Sequence, residues 1–301
     1  MIDFCKLHVT HSNPQVLIDT FGLIENNDNV YHSKNYLEGG QGFSLRLQGN
    51  SLETKGSFHQ LYHGNNYTDF TYPELAKAVN KLKSDLILPD DCQLRGFIEV
   101  GINIEDEHEV YTSSLYYKNR YTFHDMHHHG RTLNGKIASL GNSKTGNLQL
   151  KFYNKTKQYT QQYQTDTISQ LTRFEIRFRK SWFQKYAVDR FDYIDDLTTK
   201  LNYVSYCDAL QEAMLNITYN QTNSIDLTKL DDKERHLLFA CSNPEYCKQM
   251  KYTRPKVYSR DMAKYKRLVE IAPKHEFDKV KCFLGNFEAK IRRLSSTILD
   301  K

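Results

Sequence analysis

Tyr153, Glu99 and Glu175 are residues whose types and surroundings could act together on a phosphate ester. Tyr153 lies in LQLKFYNKTKQ (148–158), where Leu148, Leu150 and Phe152 alternate with Gln149, Lys151 and Tyr153. That alternation predicts a half-buried strand with Tyr153 on its polar face beside Lys151, running into a cationic turn with Lys155 and Lys157. A phenol presented among cations can be a nucleophile towards phosphorus, or an ordinary surface tyrosine in a chain that has 21 of them. Glu99 opposes Ile98, Val100, Ile102 and Ile104 in LRGFIEVGINI (94–104), and Glu175 opposes Phe174, Ile176 and Phe178 in LTRFEIRFRK (171–180). All three can therefore face one side of one sheet. Two carboxylates on adjacent strands suit Mg²⁺ or Mn²⁺, which would polarise a phosphodiester. Attack by Tyr153 would then leave a phosphotyrosine link and a free 3′ hydroxyl. Lys151, Lys155, Lys157, Arg173 and Arg177 are the candidates to hold phosphates and to favour the tyrosinate. The plainer alternative is that Glu175 only pairs with its neighbouring arginines across strands.

A second cluster is His124, His127, His128 and His129. On a strand His127 and His129 would share a face, which is ligand geometry for a divalent metal; a solvated histidine run is the plainer alternative. The six cysteines form no CxxC pair and are expected to be free core thiols.

Composition bounds the classes. Hydrophobic content of 39% with 26% charged residues fits a globular chain rather than a disordered one. A net charge of +5 permits nucleic-acid binding without requiring it, and 13% aromatic residues would suit base stacking. The acidic MID opening lacks the apolar stretch of a signal peptide, and no apolar run approaches the ~18 residues of a membrane span. The expectation is a cytoplasmic protein with no membrane partner.

The elements that must position these residues follow from periodicity. Strands are predicted at 2–10, 42–50, 94–104, 148–154 and 171–180, with 12–36 unplaced and 159–169 read as a polar loop. Leu75, Val79, Leu82 and Leu86 predict a helix whose first turn holds Pro73, lying on the apolar sheet face. From Asp192 the spacing turns helical, with later helices at 231–241, 259–271 (N-cap Ser259) and 276–298. The expected organisation is α+β: a β-rich domain over 1–190 with helices on one face, then a mainly helical, basic region over 191–301.

Several stretches, in this order, resemble the rolling-circle replication initiators of filamentous phages and related plasmid or phage proteins. They are the MID opening, HGNNYTDFTYPEL (63–75), GFIEVGINI (96–104), KFYNKTKQ (151–158), LTRFEIRFRKSWFQKY (171–186) and YSRDMAKYKRLVEIA (258–272). The resemblance implies a five-stranded antiparallel HUH-like nicking domain with Tyr153 as nucleophile and Glu99 and Glu175 as metal ligands. It departs from the family at Gly96-Phe97-Ile98, where the arginine before the acid is absent. The implied activity is metal-dependent nicking of one origin strand through a 5′-phosphotyrosine, followed by rejoining. Implied partners are origin DNA, as a single-stranded or hairpin nick site with flanking duplex, and a host helicase and polymerase in the bacterial cytoplasm. Tyr159 and Tyr163 are the substitute nucleophiles. A non-catalytic single-stranded nucleic-acid binder, a mobilisation relaxase and a histidine-ligated metal hydrolase are the competing readings.

Overall fold

The computed structural model describes residues 2–26, 29–33, 42–106, 115–117, 121–128, 131–140, 148–163, 169–184, 187, 189–219, 225–272 and 279–299. The segments with the cleanest alternation become the middle of one large sheet. Strands β1 (Ile2–Thr10), β2 (Ile24–Asn26), β3 (Val30–Ser33), β4 (Phe43–Gln48), β5 (Ser51–Gly56), β6 (Gln93–Leu94) and β7 (Phe97–Glu105) come first. The short strands β8 (Leu115–Tyr117) and β9 (Tyr121–Thr122) follow, then β10 (His124–His128), β11 (Arg131–Leu140), β12 (Leu148–Asn154) and β13 (Leu171–Arg179). The sheet runs in the order β10-β11-β12-β13-β7-β1-β5-β4-β3-β2, with β6 also on β1, and every pairing is antiparallel. It therefore has eleven strands among the described residues. The five-stranded expectation, implied by the resemblance, left out the ten-residue β11 and the six-residue β5, whose apolar and polar residues alternate poorly, as well as the short strands. A separate three-stranded sheet joins β8 and β9 to β14 (Ile217–Tyr219).

Helices α1 (Pro14–Phe21), α2 (Phe58–His63) and α3 (Tyr72–Asp85) precede β6. Pro73 sits in the first turn of α3, and Leu75, Ala78, Val79 and Leu82 face the core. Helix α4 (Lys155–Tyr163) begins directly after β12, where the sequence suggested a turn and a loop. Asn154 starts it, its side-chain oxygen accepting from the Lys157 amide at 2.7 Å. The stretch GNSKTG (141–146), whose composition predicts a turn leading into the Tyr153 strand, lies outside the described residues.

Helices α5 (Lys180–Phe183), α6 (Lys200–Leu215), α7 (Asp232–Ser242), α8 (Pro244–Thr253), α9 (Pro255–Ile271) and α10 (Lys279–Ser296) complete the chain. The expected boundary at 190 is not a packing boundary. Phe283 and Phe287 of α10 lie 5.3 and 6.2 Å, ring to ring, from Phe152 and Phe174, and Tyr206 of α6 lies 5.0 Å from Phe183. Both helices thus cover the apolar sheet face and share the main core. Among the described residues, 225–272 alone hold a separate core, built on Ile225, Leu230, Leu238, Leu268 and Ala272, and α7, α8 and α9 pack chiefly on one another. Ser259 does not cap α9. That helix starts four residues earlier at Pro255, whose carbonyl accepts from the Ser259 hydroxyl. All six cysteines are free; Cys5, Cys92, Cys207 and Cys241 are buried as expected, Cys247 is half-buried, and Cys282 is exposed because it faces away from the α10 core stripe.

Candidate active site

Pairing places the sequence-predicted residues in one row across three strands. Arg177 of β13 opposes Glu99, Glu175 opposes Gly101 and Arg173 opposes Asn103 of β7, while Lys151 and Tyr153 of β12 oppose Glu175 and Arg173. The side chains meet. The Tyr153 hydroxyl donates to Glu175 Oε1 at 2.9 Å, and the Lys151 ammonium donates to Glu99 at 2.8 Å and to Glu175 Oε2 at 3.2 Å. Arg173 donates through Nε to Glu175 Oε1 at 2.5 Å.

This face is polar but not open, which corrects the expectation for Tyr153. The phenol is only 7% exposed. A bulge between Ile2 and Phe4 turns Asp3 onto the face, where its carboxylate accepts from Arg173 Nη2 at 2.7 Å and from the Ser57 hydroxyl at 2.8 Å. Ser57 also caps α2, accepting from the Gln60 amide. The loop at 64–71 closes one end: the Asn66 carbonyl accepts from Arg173 and from Asn103 Nδ2, and the Tyr67 ring meets the Tyr159 ring of α4 at 4.5 Å. Asp69 anchors that loop to Lys290 and Arg293 of α10. His59, buried behind it, contacts the Thr68 hydroxyl and stacks on Phe70, and burial holds its imidazole far below the ordinary range, hence neutral.

Close approach across the strands requires glycine at two places. A Cβ on Gly101 would meet Glu175 Cγ at 2.7 Å and Arg173 Nη2 at 3.0 Å, and one on Gly135 would collide with Tyr153. Gly135→Ala should lower unfolding stability by about 2 kcal/mol in urea titration, an overpacking cost, and shift Tyr153. An unchanged midpoint would show that the strands part freely here.

Electrostatics assign each group a state. Burial raises the Tyr153 phenol well above its ordinary value and the Glu175 charge raises it further, against the pull of Arg173. Burial works against Glu175 too, but Lys151 and Arg173 outweigh it and keep the carboxylate ionised. Glu99 is the weaker acid, raised mainly by burial despite Lys151. Lys151 is held above ordinary lysine, because Glu175 and Glu99 overcome its burial. Lys155 goes the other way: burial, then the Arg173 charge, bring its amine down to about 7.

Two further expectations change. Arg173 is 1% exposed and spends its donors on Asp3, Glu175, Asn103 and Asn66, so it braces the site and holds no phosphate. Glu99 and Glu175 hold the Lys151 ammonium between them where Mg²⁺ or Mn²⁺ was expected, and both oxygens of Glu175 are already taken. Among the described residues no three His, Cys, Asp or Glu side chains gather as a metal site. As arranged, the donor set fits a lysine and not a divalent ion. The outer cations remain accessible: Lys157 is exposed, and Arg177 is a third exposed, 3.3 Å from Glu99 and stacked on Phe97. His124 is exposed on β10, opposite Ile137; His127 pairs with Thr132 in the same ladder; His129 lies outside the described residues.

Sequence reasoning missed Asp3, Asn103, Ser57 and the 64–71 loop. Asn103 was findable, since Glu99, Gly101 and Asn103 share the period-2 face of β7. Asp3 had no local signal, because a bulge determines its direction.

No family model matches the chain, and no curated protein matches it. Among solved structures it is similar to a rolling circle replication initiator protein from Geobacillus stearothermophilus, with 13% identity and a TM-score of 0.35, over 78% of this chain and 90% of that one. No helix among the described residues is long and apolar enough to cross a membrane.

Proposed function

We propose that this protein is a rolling-circle replication initiator whose Tyr153 nicks and rejoins one DNA strand. The observation that carries the reading is the 2.9 Å hydrogen bond from the Tyr153 hydroxyl to Glu175, inside motifs that resemble the initiators in the same order. The raised phenol makes a standing tyrosinate unfavourable, so the proton leaves as the bond to phosphorus forms. Glu175 Oε1 takes that proton; the Oη–P bond forms, the P–O3′ bond breaks, and the 3′ oxygen picks up a proton from solvent. The 5′ phosphate stays on Tyr153 until the 3′ hydroxyl of the rejoined strand reverses the step. Energy is conserved in the tyrosyl ester, so no nucleotide hydrolysis is required.

Incubating the protein with plasmid carrying its own replicon, with and without Mg²⁺ or Mn²⁺, should give nicked circles and a DNA-linked peptide containing Tyr153. An adduct on Tyr159 or Tyr163 would move the nucleophile; no nicking under any ion would end the enzymatic reading.

The α7–α9 unit supplies the duplex contact. Lys256, Arg260, Lys264 and Arg267 are exposed and recur at three- and four-residue spacing, one cationic stripe along α9. Replacing all four with Gln should weaken duplex binding and reduce the slope of log affinity against log salt by up to about 3.6, or about 0.9 per lost phosphate contact. An unchanged slope would place the duplex elsewhere.

The burial of Tyr153 also supports a second reading, a non-catalytic nucleic-acid binding protein whose sheet-face network is structural. Binding without cleavage in the plasmid assay would select it.

A further inference from the structure

Lys155 is the first residue of α4, two positions after Tyr153, and it is 2% exposed. It belongs to the same polar cluster, feeling the charges of Arg173, Asp3 and Glu175. The other cations there are committed: Arg173 to Asp3 and Glu175, Lys151 to Glu175 and Glu99, Arg177 to Glu99. Those three cations already balance the three carboxylates. The Lys155 amine has one hydrogen-bond partner among the described residues, the side-chain Oε1 of Gln158 at 2.9 Å, although an ammonium has three donors to place. A buried amine with idle donors, in a cluster that is neutral without it, is a receptor for one added anion.

We propose that Lys155 receives the scissile phosphodiester beside Tyr153 and takes up one proton from solvent as that anion arrives. The identity of the anion rests on the nicking role of Tyr153; the receptor itself does not. In this step the amine and a solvent proton become an ammonium, and no bond of the phosphodiester changes. The free amine is half-protonated at about pH 7, because burial disfavours its charge and Arg173 repels it. An anion in contact removes that repulsion and raises the amine. The device couples binding to pH: phosphate is held well near and below neutrality, and the affinity falls as the solution becomes more alkaline.

The test is an NMR titration of wild-type protein carrying ¹³C-labelled lysine, with Lys155→Arg identifying the Lys155 signal. Dimethyl phosphate, a monoanion that does not titrate in this range, is the probe. Lys155 should titrate with a midpoint near 7 in the free protein. Saturating dimethyl phosphate should raise it by about one pH unit or more. A free midpoint near the ordinary lysine value of about 10.4 would overturn the proposal, as would a midpoint that the probe leaves in place. Kinetics give a second reading. Lys155→Met, whose side chain suits the burial, should raise KM for DNA and flatten the rise of KM with pH; a wild-type pH profile in this variant would overturn the role. Nicking that survives Tyr153→Phe would remove the catalytic reading and leave the titration standing. A titration insensitive to the probe, with nicking lost in Tyr153→Phe, would remove Lys155 alone.

Discussion

Tyr153→Phe should abolish nicking and covalent labelling, lowering the rate by at least about 10³-fold, the scale on which loss of a covalent nucleophile acts. The substitution keeps the Cβ that lies against Gly135 and the ring it carries, and removes only the hydroxyl that donates to Glu175. Glu175 keeps Arg173 and Lys151 as partners, so the stability cost should stay near about 1 kcal/mol. Rate and stability are therefore separable in one variant. Tyr159→Phe is the control: its ring still meets Tyr67, and nicking should persist. A Tyr153→Phe protein that nicks at the wild-type rate would sink the mechanism.

Arg173→Met should be the most damaging change to the fold. The guanidinium is the buried counter-charge of both Asp3 and Glu175 and also holds Asn103 and the Asn66 carbonyl. Removing it strands carboxylates in the interior, a loss of about 3–5 kcal/mol. The loss should depend on pH, and its sign follows from linkage. In the wild type Arg173, with Lys155, outweighs burial and holds Asp3 below the ordinary carboxylate range, so its stabilisation is present above about pH 4 and vanishes as pH falls through the depressed value. In the variant burial is opposed by less, Lys155 and the Ser57 hydrogen bond remaining without the guanidinium, so the same carboxyl rises and is less stabilised above its ordinary range than in acid. The deficit measured by urea unfolding should be larger at pH 8 than at pH 4.5. Equal deficits, or a loss below about 1 kcal/mol, would show that water replaces the guanidinium and that the network is not a closed one.

The site was legible in part because period-2 alternation reports which face a side chain takes. Glu99, Tyr153 and Glu175 each opposed an apolar row, and the ladders put them side by side. Alternation says nothing about what covers that face. The cover comes from a bulged residue 170 positions away from Arg173 and from a loop fixed by backbone carbonyls, neither of which leaves a periodic trace. The roles of the cations were unreadable for the same reason: Lys151, Lys155 and Arg173 look alike on paper, and only their partners make one a clamp, one a half-charged amine and one a brace. The domain boundary failed because α10 is amphipathic like any surface helix, while Phe283 and Phe287 reach back to Phe152 and Phe174.

That return of α10 has a consequence for how such proteins diversify. The chain leaves the sheet core after α6, builds the three-helix unit over 225–272 on its own small core, and then comes back to the sheet. The unit is a cassette between two fixed anchor points. Its sequence can be exchanged or drift while the Tyr153 face, braced by Arg173 and closed by the 64–71 loop that α10 anchors, stays untouched. On the proposed function, a chimera carrying a foreign helical cassette should still form the Tyr153 adduct and change only the DNA on which it forms.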